Sequence, residues 1–188
     1  MANTNSTVST KVVTGEVRFS YAHVFEPASI NGGEAKYSVS ILIDKSDKNT
    51  LARIEKAIEA AKTSGAASKF GGKIPSNLKL PLRDGDVDRE DDEVYAGKYF
   101  INANCKQKPG IVDKSGNPII DTTEFYSGCY GYASITFYAF NSNGNRGVAC
   151  GLNNLMKTRD GEPLDGRASA ESDFADLISA NDDDDFLD

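Results

Sequence analysis

Residues 129–140, CYGYASITFYAF, decide the fold because they alternate strictly along their whole length. Their odd positions are small or apolar, and their even positions carry tyrosine, serine, threonine and phenylalanine. A period of two residues predicts a β-strand that turns one face to a core and the other to solvent. Asn143-Gly144 follows closely and predicts a tight hairpin turn into a second strand over residues 147–155.

Three windows earlier in the chain show the same alternation, which extends the β prediction to much of the sequence. They are residues 11–21, 36–43 and 98–106. Five strands that each have one polar face predict an antiparallel barrel or sandwich. We therefore expect a mainly β domain over residues 11–165, preceded by a flexible N-terminus over residues 1–10.

One helix is predicted between the second and third of these strands. It is indicated by Leu51, Ile54, Ile58 and Ala61 at helical spacing, with Ser46 as the expected N-cap and Gly65 as the expected stop. Residues 69–93 contain paired glycines, two prolines and a cluster of acids, and are predicted to form a long loop.

The net charge of -7 is concentrated at the C-terminal end. Residues 166–188 contain eight acids and one base, which leaves 20 acids and 20 bases in residues 1–165. Six of those 20 acids fall within residues 86–94, so the rest of the domain has an excess of positive charge. This composition is compatible with a cationic groove, and it predicts that residues 166–188 form a disordered acidic tail.

The outward faces of the predicted strands combine aromatic rings with basic side chains. A single nucleic-acid strand needs flat surfaces for its bases and cations for its phosphates, whereas a merely solvated face rarely needs so many rings. The alternative is that part of these rings pack beneath loops in a second layer or form a dimer interface. In the binding interpretation, Phe100, Tyr130, Tyr132 and Tyr138 stack on bases, and Arg18, Lys36, Lys98, Lys106 and Lys108 neutralise phosphates.

Few residues offer catalytic chemistry, and we predict neither an enzyme nor a cofactor. His23 is the only histidine, which excludes a histidine-rich zinc site. Asp84, Asp86, Asp88 and Glu90 have the spacing of a calcium loop, but Arg89 and Tyr95 stand where that loop needs glycine and glutamate. The alternatives are a metal-dependent nuclease, using Asp121 and Glu124 with these acids, and a β-rich structural or assembly protein.

The C-terminal tail has a feature that points to a protein partner. Four consecutive aspartates are followed by an apolar pair at the end of the chain. A hydrophobic residue in an acidic disordered segment can dock in a basic-rimmed pocket of a partner. The predicted partner-binding residues are Asp182, Asp183, Asp184, Asp185, Phe186 and Leu187.

The cysteines and the apolar runs predict a soluble protein of a reducing compartment. Cys105, Cys129 and Cys150 are widely spaced and odd in number, which fits neither a disulfide framework nor a metal knuckle. The apolar runs are too short to span a bilayer, and the N-terminus lacks the apolar region of a secretion signal.

The chain resembles the single-stranded-DNA-binding proteins of tailed bacteriophages, a family formerly recorded as a domain of unknown function. The resemblance covers nearly the whole chain. It implies an OB-fold that binds single strands without sequence preference in phage replication or recombination, within the cytoplasm of the infected bacterial host. It also implies that the acidic tail contacts replication or recombination proteins. Its segments are GEVRFSY at 15–21, KYSVSILIDK at 36–45, LRDGD at 82–86, YSGC at 126–129 and GLNN at 151–154.

Two features depart from the family pattern. The predicted helix follows the second strand, whereas a standard OB-fold places it after the third, which implies either an unrecognised strand or an elaborated barrel. Acidic tails of this kind typically end on an aromatic residue, but here Asp188 follows Phe186-Leu187.

Overall fold

The computed structural model describes residues 9–29, 32–164 and 174–177, and within them the chain is mainly β. Residues 1–8 and most of the predicted tail, including the proposed partner-binding residues 182–187, lie outside the described residues. In chain order the elements are β1 (Lys11–Val13), β2 (Val17–Ala28), β3 (Lys36–Asp44), α1 (Lys48–Lys69), β4 (Leu82–Asp84), α2 (Gly85–Asp88), a 3-10 turn (Glu93–Tyr95), β5 (Lys98–Cys105), β6 (Gly110–Val112), β7 (Tyr130–Ser142) and β8 (Asn145–Arg159).

The five long strands close into a ring. Going round it, β2 pairs with β3, β3 with β5, β5 with β8, β8 with β7, and β7 returns to β2. Four of these pairings are antiparallel, but β5 and β8 run parallel where Asn104 meets Gly151. The predicted mainly β, OB-like class is therefore confirmed, while the expectation of an entirely antiparallel arrangement is wrong.

The ring encloses one continuous apolar core. The inward positions of the strands supply it, as the alternation predicts, with Phe19, Ile41, Ile101, Ile135 and Phe137 at or near zero exposure. Helix α1 adds its predicted apolar face, and Leu51, Ile54, Ile58 and Ala61 are all buried. The helix packs mainly on β7. Full burial of such side chains is worth about 1.5 to 3 kcal/mol each before the entropy of ordering is subtracted.

Both predicted ends of the helix are wrong. Asp47, and not Ser46, caps the N-terminus, because the Asp47 carboxylate accepts a hydrogen bond from the Thr50 backbone N–H at 3.2 Å. Gly65 does not end the helix, which continues to Lys69. A Cβ at Gly65 would lie 2.2 Å from the Cβ of Ala139 on β7, so glycine here permits close helix–sheet packing.

The position of α1 settles the question that the family pattern raised. The helix lies between β3 and β5, the second and third long strands of the ring, and every ring strand is present in the prediction. The fold is therefore elaborated rather than missing a strand, since three short strands that the sequence does not reveal are added to the ring. These are β1 on β7, β4 on β5 and β6 on β8.

Two local predictions need correction. The window 11–21 is two strands and not one, because the chain turns between β1 and β2, where the Gly15 N–H donates to Thr50 Oγ1 at 2.9 Å. Residues 69–93 are not a plain loop, since they contain β4, α2 and the start of the 3-10 turn. β4 pairs beside β5, and Tyr95 of the 3-10 turn packs over the outward side of Phe100, so this segment covers the start of β5.

The hairpin between β7 and β8 is confirmed. Asn143 and Gly144 both have positive φ, at 51° and 87°, which is the two-residue turn that suits the twist of paired strands. No helix in the described part of the chain is long and apolar enough to cross a membrane.

Candidate nucleic-acid interface

The outer face of β3 and β5 carries a row of short polar side chains. Their antiparallel register sets Ser40 opposite Asn102 and Ser38 opposite Asn104. On the other side of β3, strand β2 sets His23 opposite Ser38. These side chains line an open cavity of ≈350 Å³, which we call the β2–β3–β5 groove; its other lining residues are Tyr21, Val39, Arg89 and Ala103. The floor therefore has polar side chains of unequal exposure: Asn102 is exposed, Ser38 and Asn104 are half-buried, and Ser40 is buried.

Tyr21 stands at the wall of the groove because β2 bulges. The pairing of β2 with β3 is irregular between Ser20 and His23, and Tyr21 lies within that irregularity with a φ of 46°. A left-handed backbone is unusual for an aromatic residue and costs of order 1 to 3 kcal/mol. The bulge leaves the Tyr21 side chain 59% exposed, and its ring borders the groove and two neighbouring depressions. Sequence reasoning missed this residue, although the broken alternation at Ser20-Tyr21-Ala22 is a signal for it.

A cation marks one end of the groove. The Arg89 guanidinium lies 5.8 Å from the ring centroid of Tyr95 and 5.7 Å from that of Phe100. Within residues 9–29 and 32–164, Arg89 forms no ion pair with a carboxylate. Its positive charge is therefore available to an anionic ligand, although acids from residues 86–93 surround it in the chain.

The opposite end of the groove also carries positive charge. Lys36 lies two residues before Ser38 on the same outward face of β3, and it has no carboxylate partner among the described residues. Lys106 follows β5 and pairs with Glu34 at 3.4 Å, with both side chains mostly exposed. Lys108 lies over the Phe25 ring at 5.7 Å. Exposed pairs such as Lys106–Glu34 are weak, so this end can attract phosphates.

Tyr138 approaches the groove from the other direction. Asn104 pairs with Gly151 of β8, and a Cβ at Gly151 would lie 3.7 Å from Cε1 of Tyr138. The Tyr138 ring therefore lies beside Gly151, a position of β8 that has no side chain, next to the groove floor. Tyr138 is 46% exposed, as the alternation of β7 predicts. Tyr132 is exposed too, but it stands six residues, about 20 Å, from Tyr138 along the same strand.

Phe100 is a clear correction, because it is not exposed and offers no face to a base. Its side chain is fully buried and meets Tyr95 edge to face, with ring centroids 5.0 Å apart. Leu42 completes this small cluster. The cause is the segment 82–95. Its residues Tyr95 and Arg83 lie against the Phe100 ring on the outward side of β5.

Lys98 and Tyr130 are also occupied by protein partners. The Lys98 ammonium is bound to the Asp44 carboxylate. The Tyr130 ring is covered by Arg159, whose guanidinium carbon lies 3.7 Å from the ring centroid, and Arg18 lies at 5.4 Å. Tyr130 is therefore part of a structural corner where β7 meets β8, which makes it a poor surface for stacking.

Arg18 anchors the chain that follows β8. It donates to the backbone carbonyls of Gly128 at 3.1 Å and Glu162 at 2.8 Å. These acceptors are uncharged, so Arg18 keeps its positive charge while it holds residues 160–164 against the ring. Of the predicted phosphate contacts, Arg18, Lys36 and Lys108 are thus free of carboxylate partners within the described residues, whereas Lys98 and Lys106 are paired.

Four of the six acids considered for metal chemistry are engaged in other contacts: Asp84 and Asp86 with Lys45, Asp88 with Arg83, and Asp121 with Thr123. The Lys45 ammonium contacts Asp84 at 2.7 Å and Asp86 at 2.6 Å. The bond from Lys45, followed by one from the backbone N–H of Gly97, lowers the pKa of Asp86. Asp121 accepts from the Thr123 hydroxyl at 2.6 Å, which lowers its pKa. In the described residues, no three histidine, cysteine or acidic side chains converge as metal ligands would.

The cysteines are poor nucleophiles in this fold. Cys129 and Cys150 are buried in the core, and burial raises the pKa of each thiol. Cys105 is half-buried, and burial raises its thiol pKa as well. A thiol with a raised pKa holds little thiolate at neutral pH, so none of the three is set up for nucleophilic attack.

The chain is similar to proteins of bacteriophages. The family described as "Enterobacter phage Enc34, ssDNA-binding protein" matches residues 10–187. Protein p50 of Acyrthosiphon pisum secondary endosymbiont phage 1 is 31% identical over 178 residues, which cover 90% of this chain and 95% of that protein.

Solved structures show the same fold. The single-stranded DNA-binding protein of bacteriophage Enc34, in complex with ssDNA, superposes with a TM-score of 0.72 and 26% identity, covering 82% of this chain and 89% of that one. The single-stranded DNA-binding protein gp2.5 of bacteriophage T7 gives a TM-score of 0.57 at 17% identity, covering 88% and 93% of the two chains. The second likeness concerns the fold alone.

Proposed function

Because the chain belongs to the family of phage single-stranded-DNA-binding proteins typified by that of Enterobacter phage Enc34, we propose that it binds single-stranded DNA in the β2–β3–β5 groove. The observation that carries this proposal is the open polar floor between cations at both ends. A strand that follows the floor would meet Arg89 at one end and Lys36 and Lys108 at the other. Its bases would lie over short polar side chains.

Two rings are placed to stack on bases. Tyr21 borders the groove on the β2 side, and Tyr138 lies beside Gly151 on the β8 side. Stacking of a base on an aromatic ring is worth about 1 to 3 kcal/mol and tolerates any sequence, since every base has a flat face. Tyr132 would serve a more distant part of the same strand, and Phe100 and Tyr130 have no part in the proposal.

Phosphate neutralisation supplies the salt-dependent part of the affinity. Arg18, Lys36, Arg89 and Lys108 are the principal cations in this proposal because none is paired with a carboxylate among the described residues. Lys106 contributes where the strand displaces Glu34, and Lys98 contributes little because Asp44 holds it. Each phosphate contact should make the slope of log affinity against log salt more negative by about 0.7.

The wider role follows from the family and the tail sequence. We propose that the protein protects single strands in phage replication or recombination, in the cytoplasm of the infected host, without catalysing a reaction. In the same proposal the aspartates 182–185 with Phe186 and Leu187 recruit replication or recombination proteins, since an acidic segment with an apolar end suits a basic-rimmed pocket.

A fluorescence anisotropy titration tests the binding activity. The full chain is titrated onto labelled single-stranded and duplex oligonucleotides at about 50 and 200 mM salt. We expect preferential binding of the single strand, weakened at the higher salt, with the strand left intact when magnesium is present. Equal binding of both forms would contradict the proposal, and cleavage of the strand would favour a nuclease.

A further inference from the structure

Two amide side chains on the floor of the groove are left open. Asn102 is exposed and Asn104 is half-buried, and neither side-chain amide bonds to a protein group among the residues that the structure describes. Other asparagines of the sheet are engaged: the Asn153 amide donates to Thr136 Oγ1 at 2.9 Å, and Asn154 Oδ1 accepts from the Gly110 N–H at 3.2 Å. Asn102 and Asn104 thus differ from these sheet asparagines in having no protein partner for the amide.

Their placement on one strand makes them a pair. Asn102 and Asn104 are two residues apart on β5, so both project from the same face and stand about 7 Å from each other. Ser40 and Ser38 lie directly across from them on β3. The Ser40 hydroxyl already accepts from the Tyr95 hydroxyl at 3.4 Å, whereas the two amides, the Ser38 hydroxyl and the His23 imidazole are among the side-chain groups of the lining without a hydrogen bond to any described residue.

An asparagine amide suits the edge of an unpaired base. It carries an N–H donor and a carbonyl acceptor side by side, and it can turn over to exchange them. The edges of unpaired bases offer donors and acceptors in the same way, and proteins that bind single strands use them. In a duplex the Watson–Crick edges are already occupied by the opposite strand.

We propose that Asn102 and Asn104 bind the free edges of unpaired bases and thereby help the protein to distinguish a single strand from a duplex. This inference rests on the proposed function and adds a second source of selectivity to the stacking rings. It does not require a preferred sequence, because a reversible amide accepts any of the four bases.

Removal of both amides tests the proposal when binding is compared on strands with and without bases. The variant Asn102→Ala/Asn104→Ala of the full chain is titrated onto a labelled single strand of about 16 nucleotides, onto the same strand with abasic sites at its centre, and onto a duplex. Two lost hydrogen bonds predict a fall of about five- to a hundredfold on the base-bearing strand. Affinity for the abasic strand and for the duplex should not change.

A matched variant controls for the loss of asparagine in general. Asn77→Ala/Asn117→Ala removes two exposed loop amides outside the groove and should leave all three affinities unchanged. An equal fall on base-bearing and abasic strands would overturn the inference, since it would mean that the asparagines act through the fold or the phosphates. Unchanged binding of the base-bearing strand would overturn it as well. Failure of the unaltered chain to bind any single strand would instead refute the proposed function.

Discussion

The guanidinium carbon of Arg159 lies 3.7 Å from the ring centroid of Tyr130, and the same guanidinium donates to Glu16 at 2.9 Å. This contact joins the start of β2 to the end of β8. The Arg18 guanidinium also lies over the aromatic ring of Tyr130, and it donates a hydrogen bond to the backbone carbonyl of Glu162. The corner therefore fixes the ends of three ring strands and holds the backbone at Glu162 against them.

Glu16 should make this corner sensitive to acid. A hydrogen bond from the Thr158 hydroxyl, followed by the bond from Arg159, lowers the pKa of the Glu16 carboxyl in the folded protein. Its contribution to stability is therefore present above the usual pKa of 4.5 and is lost as the pH falls through the lowered value. We expect Glu16→Gln to lower the melting temperature at neutral pH, by an amount that shrinks as the pH falls below 4.5. Thermal unfolding followed by circular dichroism measures this, and a difference that is independent of pH would contradict it.

Tyr21 should trade stability for binding. Replacement by glycine removes the cost of a left-handed backbone at an aromatic residue, so Tyr21→Gly should unfold at the same or a higher temperature. The same change removes a stacking surface and should weaken single-strand binding by about 1 to 3 kcal/mol. Tyr21→Phe keeps the ring and serves as the control for both measurements. A glycine variant that binds like the unaltered chain would remove Tyr21 from the site.

The lysines should divide into two groups by their partners. Lys36→Gln and Lys108→Gln each remove a cation with no carboxylate partner among the described residues, so each should make the salt dependence of binding shallower by about 0.7. Lys98→Gln removes a cation that Asp44 already neutralises and should leave the slope unchanged. Anisotropy titrations over a range of salt concentrations give the slopes. Equal slopes for all three variants would mean that the strand does not follow the groove.

Phe100 and Tyr138 should show opposite effects although both lie at even positions of alternating strands. Phe100 is fully buried, so Phe100→Ala should lower the free energy of unfolding by about 3 to 5 kcal/mol. Tyr138 is 46% exposed, so Tyr138→Ala should change stability by only about 0.5 kcal/mol while it weakens DNA binding. Urea denaturation and anisotropy together separate the two roles. A stable Phe100→Ala variant would contradict the assignment of this ring to the core.

Alternation along single strands predicted much of this fold. It identified all five ring strands, their inward faces and the hairpin at Asn143-Gly144, because a half-buried strand must repeat every two residues. It could not show that residues 82–95 cover the outer face at Phe100, since coverage depends on where a distant segment packs. The apparent loop hid that layer because its elements are only three or four residues long.

The candidate site was harder to predict for a related reason. A bulge shifts the register locally, so Tyr21 is exposed although strict alternation of residues 11–21 would turn it inward. The partners of Lys98 and Tyr130 come from neighbouring strands, and only the register between strands reveals them. Lys36, Lys108 and Tyr138 could be proposed from the sequence because their outward position was enough to define them.

The position of the bound strand is the most direct test of the central claim. A single-stranded oligonucleotide that carries photoreactive 5-iodouracil is irradiated in complex with the full chain, and the adducts are located by mass spectrometry. We predict adducts at Tyr21, His23 or Tyr138, which border the β2–β3–β5 groove and its β8 side. Adducts confined to the exposed face of α1, with none on these residues, would contradict the account.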